Sequence, residues 1–453
     1  MIERVKTFLL LILIMLSLIL SGFLWYSTPR LENLNSSDYV APQPRGHRYE
    51  LADVVRPAAV FLHSGDSRHW EIKADTEASK KIMPAVNKWY FYDVTEQAWD
   101  KEDWNQLVNK RKGIEVAYND AVPWDIFSEM FTVRGRTSVG FSSVDRIWVY
   151  VNKEENTCYA LLLSGKEHRV LRARVSVSPM EVDSFYLAPA MIVHLPEQIV
   201  VRSSLPLYLP KNRGDMIRYR YFYQLLTVQQ AIETVFVDPN LTRQVTERDG
   251  TIIYTDGSKA VSIPPHRQYV SYNNPVHEWE SVDSERADYE SVNAAISFVN
   301  LHGGWNGTYS LESLESVHPG RPEPATYRFR QYIGPYPLFG EKDGQHIVSV
   351  RMAGGAVSGF QCPLLQLDTY FERTPVKVMS GADLIGWLKR ENINLAGIKA
   401  IRIGLHSRII YDFVEMVPVW EIQLADRPVM YINAEVKETG KTAGTGGRTV
   451  GLE

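Results

Sequence analysis

Cysteine is almost absent from this chain: two residues, Cys158 and Cys362, in 453. Two thiols cannot build the disulfide framework of a small secreted scaffold. They stand 204 residues apart, a spacing that suits two separate buried thiols or one long-range disulfide. Positive charge is not in excess either. The net charge is −4, and −5 once Glu3, Arg4 and Lys6 are set aside, so no basic field points to nucleic acid. The motifs of several enzyme classes are missing as well. Gly440-Lys441-Thr442 looks like the end of a phosphate loop, but the position five before Gly440 is Glu435, where that loop needs glycine. His277-Glu278 opens like a zinc-protease helix, yet Ser281 stands where the second histidine is required. There is no G-x-S-x-G nucleophile elbow. His63 and His69 are six apart across a strand and a turn, and read as a core and a surface histidine rather than a metal pair. Glu154-Glu155 and Asp283 with Glu285 fall in loops and polar helix starts, where solvated charge is the plain reading. The chain is therefore expected to fold with no metal and no cofactor.

Long apolar runs are missing too, with one exception. Arg4 and Lys6 precede an uncharged stretch of 23 residues, Thr7 to Pro29, which Arg30 closes. Thirteen of the 20 residues from Thr7 to Tyr26 are Leu, Ile or Phe. As a helix these 20 residues rise about 30 Å, the thickness of a bilayer's hydrocarbon core. Their insertion is favourable by very roughly 4 to 8 kcal/mol. Trp25 and Tyr26 sit at the far boundary, where amphipathic rings favour the headgroup level. The positive residues before the span put the N-terminus in the cytoplasm and everything after it outside. A cleaved signal peptide is the rival reading, but its apolar region is shorter and ends in a small-x-small site. Here Ser21-Gly22 is followed by bulky Phe23, Leu24 and Trp25. Within the span, Ser17 and Ser21 lie at i and i+4, a small pair flanked by Leu13 and Leu20. That stripe is a candidate surface for packing a partner helix.

The expected organisation is a cytoplasmic tail (1–6), a transmembrane helix (7–29) and a polar linker (30–48). A mixed α/β domain (49–181), a middle helix-plus-meander domain (182–281) and a duplicated helix-plus-sheet domain (282–436) follow. A Gly-, Thr- and Lys-rich tail (437–453) has nothing to bury. The fold class is α+β, with small antiparallel sheets and packed helices. Helices are expected at 76–91, 99–110, 217–237, 283–301 and 381–391, the last opened by Ser380 as N-cap. In Val417 to Ala425, Trp420, Ile422 and Leu424 alternate with Val419, Glu421 and Gln423. The first set is expected in the core and the second in solvent. Aromatics cluster at Trp89-Tyr90-Phe91-Tyr92 and around Trp420. They read as core packing or as a contact surface for a protein partner.

The anchor TFLLLILIMLSLILSGFLWYSTPRLENL and the C-terminal VPVWEIQLADRPVMYINAE carry a resemblance. With one N-terminal span, a cysteine-poor ectodomain and terminal helix-plus-meander units, the chain resembles the YycH family. These are membrane-anchored regulatory proteins of the YycFG (WalRK) two-component system. The C-terminal phrase is also similar to the ending of PepSY-like domains, with Asn433 where Asp is usual. The resemblance implies no enzymatic activity. It implies binding to a sensor histidine kinase (WalK/YycG-like) together with a sister protein resembling YycI, at the cell membrane, to adjust cell-wall metabolism. Two other readings stand beside it: an extracytoplasmic protease inhibitor or chaperone built on PepSY-like units, and a cell-wall hydrolase with an unrecognised active site.

Overall fold

The computed structural model describes residues 2–26, 46–99, 101–135, 141–201, 203, 205–236, 239–275, 287–316, 325–342, 344–353, 355–425 and 427–436. The chain divides into two compact units, Met1–Ala41 and Pro42–Glu453. The first holds the helix Ile2–Tyr26, whose described side chains are all exposed. The second is mixed α and β.

One sheet of the large unit has ten strands. Its centre runs Ala59–Ser64, Lys112–Pro123, Ser143–Asn152, Thr157–Ser164 and Arg169–Val175 side by side. The run CYALLLS explains why this centre is stable. It is apolar at nearly every position, as suits a strand covered on both faces, and only Thr157 at its start is partly exposed. One face packs Leu62, Ile114, Val116, Val149 and Leu162 into the largest core. The opposite face packs Trp148, Tyr150 and Leu161 under the helix Lys101–Lys110, through Trp104 and Val108. The strand Glu197–Val201 and the edge strand Leu207–Pro210 are added from the segment that leads into the second sheet.

The second sheet has fourteen strands. At one end is a meander, Arg243–Thr246, Ile252–Thr255, Ala260–Ile263 and Tyr269–Asn273. At the other, Ile398–Ile410, Phe413–Leu424, Gly214–Leu225 and Leu365–Val378 lie in that order. The meander does not form a separate small sheet, because Tyr269–Asn273 pairs with Ala356–Pro363. The expectation of small sheets therefore gives way to two large ones. Unpaired strand edges carry free N–H and C=O groups, and long-range pairing satisfies them. The helix Gly381–Arg390 covers a second core containing Leu384, Leu388, Trp420 and Ile422. Ser380 caps it, accepting from the Asp383 amide at 3.2 Å.

Three local expectations are corrected. The helix expected over 217–237 is a strand, Gly214–Leu225, followed by a six-residue helix, Val228–Glu233. Its residues alternate Arg and Tyr (Arg218, Tyr219, Arg220, Tyr221), a period of two that suits a pleated ribbon. The helix over 76–91 stops at Val86, and Tyr90 already opens a strand. In Phe413–Leu424, Trp420 and Ile422 are buried as expected, but Glu421 is buried too, at 2% exposure. That strand is central, and over Pro418–Ile422 both of its faces are covered. Cys158 and Cys362 are both free thiols, and burial pushes each up to about 12.

Chain entry into the large unit is fixed by a small latch. His47 pairs with Trp305, their amides donating across at 2.9 and 3.0 Å. The Asn300 side chain binds both Tyr49 backbone groups, accepting at 3.0 Å and donating at 2.8 Å. Gly304, at φ +74°, lies so near that its added Cβ would sit 3.0 Å from the Gly46 backbone.

Candidate functional site

The transmembrane stripe expected from the sequence lies on the helix Ile2–Tyr26, where Leu13, Ser17, Leu20 and Ser21 are all exposed. The side chains of Trp25 and Tyr26 lie outside the described residues, as do His277, Asp283, Glu285 and the segment 437–453. Side chains in this helix are described without a break only from Leu10 to Ser21. Among the described residues no helix is long and apolar enough to cross a membrane.

His63 and His69 do meet, but not as a core and a surface residue. Both are buried, register partners on adjacent strands, with their Nδ1 atoms 2.8 Å apart. His63 Nε2 lies 3.5 Å from Glu115, which also accepts from Arg146 and Tyr208. Burial raises the Glu115 carboxyl, but Arg146 with His63 and Tyr208 overcomes this and holds it at about 2. Burial, then His63, lowers His69 to about 4. Among the described residues no group of three metal-ligating side chains forms.

A second buried cluster joins the two sheets. Glu312 and Glu421 both bind Arg402, and Arg330 lies 3.0 Å from Glu312. Arg402 also donates to Asn119 of the first sheet at 3.2 Å. Asn119 is free to reach across because the pairing of Lys112–Pro123 with Ser143–Asn152 breaks register between Ala117 and Val122. Burial raises the Glu312 carboxyl, while Arg402 and Arg330 bring it down to about 2. Beside this cluster is an arrangement with the outline of a hydrolase site. Ser407 Oγ lies 2.6 Å from His346 Nε2, and His346 Nδ1 lies 2.9 Å from Gln331. Ser407 is 0% exposed, and a substrate cannot reach it without unfolding the sheet. Burial, then Arg330, lowers His346 to about 3. Gln331 carries no charge to stabilise an imidazolium. The triad therefore reads as a packed polar bridge between Ser407, His346 and Gln331.

Among the described residues of the large unit, exposed aromatics lie on the ribbon made by Gly214–Leu225 and Leu365–Val378 and also at the first place the sequence suggested, where Tyr90 is 42% exposed. Trp89 and Phe91 are buried, as is Trp420. On the ribbon Phe222 and Phe371 pack on one face with ring centres 4.4 Å apart, and Tyr370 projects from the other. Tyr411 stands at the tip of the neighbouring hairpin, 94% exposed and at φ +53°. The charges beside it are already paired: Arg220 binds Glu372 at 2.8 Å and Glu415 at 2.9 Å. The Arg–Tyr alternation at 218–221 was the available signal. It was hidden because Tyr221, Leu225, Val228 and Ile232 also fall at helical spacing.

Two family models match the chain in order, the YycH protein N-terminal domain over residues 3–184 and the YycH protein C-terminal domain over residues 205–436. The chain belongs to the YycH family. A curated relative, "Two-component system WalR/WalK regulatory protein YycH" of Bacillus subtilis (strain 168), is 19% identical over 474 residues. That match covers 98% of this chain and 99% of the relative. The crystal structure of YycH from Bacillus subtilis superposes with a TM-score of 0.67 at 16% identity, covering 86% of this chain and 99% of that one. The mixed α+β architecture is thus that of the YycH fold, and the break between the two YycH models (184 to 205) falls where the strand Glu197–Val201 is added.

Proposed function

We propose that this chain is a non-enzymatic, membrane-anchored regulator of a WalR/WalK-type two-component system. The single observation that carries the reading is the end-to-end match to a regulatory protein of that system. The anchor is the uncharged stretch 7–29, and its support is the run of exposed Leu and Ile side chains from Leu10 to Leu20. Such a surface is costly in water and favourable in lipid. The N-terminus is then cytoplasmic and residues 30–453 lie outside. The C-terminal helix Gly381–Arg390 with the strands Ile398–Ile410, Phe413–Leu424 and Met430–Asn433 is the PepSY-like part of this reading.

The partners are a sensor histidine kinase and a sister protein resembling YycI. Two surfaces meet them. In the bilayer the stripe Leu13, Ser17, Leu20 and Ser21 packs a partner helix, with Trp25 and Tyr26 setting depth. Outside it, the ridge of Phe222, Phe371 and Tyr411 docks the protein partner, because rigid exposed aromatics are the side chains that anchor interfaces. A photo-crosslinker at position 411 in native membranes should capture the kinase or the sister protein. Capture of neither, with the protein correctly anchored, would remove the ridge from the reading. Ser17→Leu with Ser21→Leu should keep membrane location and weaken kinase co-purification. Unchanged co-purification would place the whole contact outside the bilayer.

A further inference from the structure

The ribbon made by Gly214–Leu225 and Leu365–Val378 has a second side, away from Phe222 and Phe371. Tyr219 stands across from Arg373 and Tyr221 across from Tyr370, so these four side chains share that side. The three tyrosine rings have centres 5.7 to 6.2 Å apart and are tilted or edge to face. The Arg373 guanidinium lies over two of them, 5.3 Å from the centre of Tyr370 and 5.8 Å from that of Tyr219. Tyr219 and Tyr221 rest partly on the second core. Tyr370 is half exposed, and every residue from Asp368 to Arg373 is exposed. Rings and guanidinium are therefore open to an incoming chain.

Charge singles out Arg373. The other cations of the ribbon are paired: Arg218 with Glu435, Arg220 with Glu372 and Glu415, and Lys377 with Asp215. Among the described residues the Arg373 side chain has neither an ion pair nor a hydrogen bond. Stacking on the rings restrains the guanidinium while its N–H donors stay unused. A carboxylate takes two such donors side by side. Phosphate fits less well, because it brings more charge to one free cation and meets exposed Asp368 and Glu372 on the same strand. Main-chain pairing along the ribbon's edge is blunted. The Lys377 carbonyl accepts from the Val436 amide at 2.9 Å, on the side away from Gly214–Leu225. Pro375, two residues earlier, points the same way and has no N–H to offer. Register shifts between Arg220 and Tyr223 bend the strand beyond it. Recognition therefore falls to the side chains. We propose that this side of the ribbon docks an acidic segment of a protein partner, with one Asp or Glu carboxylate bound by Arg373 and its chain packed on Tyr370. The ridge occupant described above meets the opposite side at Phe222 and Phe371, so the ribbon has room for two chains. The inference does not depend on which protein either of them is.

The test uses the full chain in a nonionic detergent. The probe is a random copolymer of glutamate and tyrosine. The controls are the lysine–tyrosine copolymer, inorganic phosphate, and phosphatidylglycerol mixed into the micelles. The chain carries a net charge of −4, so an acidic polymer is held only where the local field is reversed. The glutamate copolymer should saturate with a Kd of about 100 µM or below. Arg373→Gln should weaken it at least about tenfold, and Tyr370→Ala at least about threefold. Neither should lower the melting temperature, because both side chains are exposed. Arg373→Lys should recover little, since an ammonium does not reproduce the planar fork. Arg248→Gln, at an exposed cation outside the ribbon, should change nothing. Absence of saturable binding, equal binding of the lysine copolymer, or an equal loss in Arg248→Gln and Arg373→Gln would overturn the proposal. So would binding of phosphate or phosphatidylglycerol alone, or a dimer of this chain that Arg373→Gln disperses, since these would give the face to an anion, to lipid or to a second copy.

Discussion

The ionic cluster around Glu115 draws on strands of one sheet, whereas the cluster around Glu312 draws on both. In the first, His63, His69, Glu115, Arg146 and Tyr208 come from five strands of the first sheet, and the carboxylate has one cation. In the second, Glu312, Arg330, Arg402 and Glu421 belong to the second sheet, and Asn119 reaches in from the first. The first has a reserve, since His63 can take up a proton if Arg146 is lost. The second has two carboxylates sharing Arg402, and the nearby His346 faces Ser407 and Gln331 instead. The comparison teaches that carboxylates taken out of water depend differently on one guanidinium according to what else can supply positive charge.

The largest effects should come from breaking this symmetry. Arg402→Met leaves Glu312 and Glu421 buried beside Arg330 alone, and should cost about 3–5 kcal/mol in denaturant unfolding. Arg146→Met should cost about 2–3 kcal/mol, and less at mildly acid pH, where His63 protonates beside Glu115. Equal losses at every pH would show that the histidine reserve does not exist. Trp420→Ala probes the other face of the strand that carries Glu421. It empties a site at 2% exposure and should cost about 3–5 kcal/mol. A loss under about 1 kcal/mol would contradict the packing described for that strand.

A smaller effect is expected from pH. His69 at about 4 and His346 at about 3 lie below the ordinary 6.5 of an unfolded histidine, and His63 is lowered as well. The unfolded chain therefore binds more protons, and stability present above pH 6.5 is lost as pH falls toward 4 and then 3. Glu115 and Glu312, both at about 2, add a second loss as pH falls below 4.5. His63→Gln with His69→Gln should flatten the first phase by about 1–3 kcal/mol and leave the Glu312 part of the second in place. An unaltered slope between pH 6.5 and 4 would mean that the pair is protonated alike in both states. The smallest effect should be that of Tyr411→Ala, within about 0.5 kcal/mol in stability because the ring touches little.

Much of the α+β grammar was legible in the sequence. The hairpin Ser143–Asn152 with Thr157–Ser164, the helix Lys101–Lys110 and the capped helix Gly381–Arg390 follow from local alternation, spacing and a Ser N-cap. What was illegible is of one kind. Glu421 looked solvent-facing because alternation reports only which residues share a face, not whether the second face is also covered. His69 looked like a surface residue because the strand Glu197–Val201, which pairs with it, arrives from more than a hundred residues away.

The sequence by itself determined the uncharged N-terminal stretch, the scarcity of cysteine, the mixed composition of the elements and the family. Each of these is a property of residue type and order along the chain. Only the tertiary structure decided that the meander joins one fourteen-stranded sheet, that Asn119 bonds Arg402, and that Ser407, His346 and Gln331 meet where no substrate reaches. It also decided that Tyr411 stands bare while Trp420 is sealed. The reason is physical. Burial, ion pairing and exposure are settled by which distant strands satisfy one another's edges, and that pairing is chosen by the whole chain rather than by any segment of it.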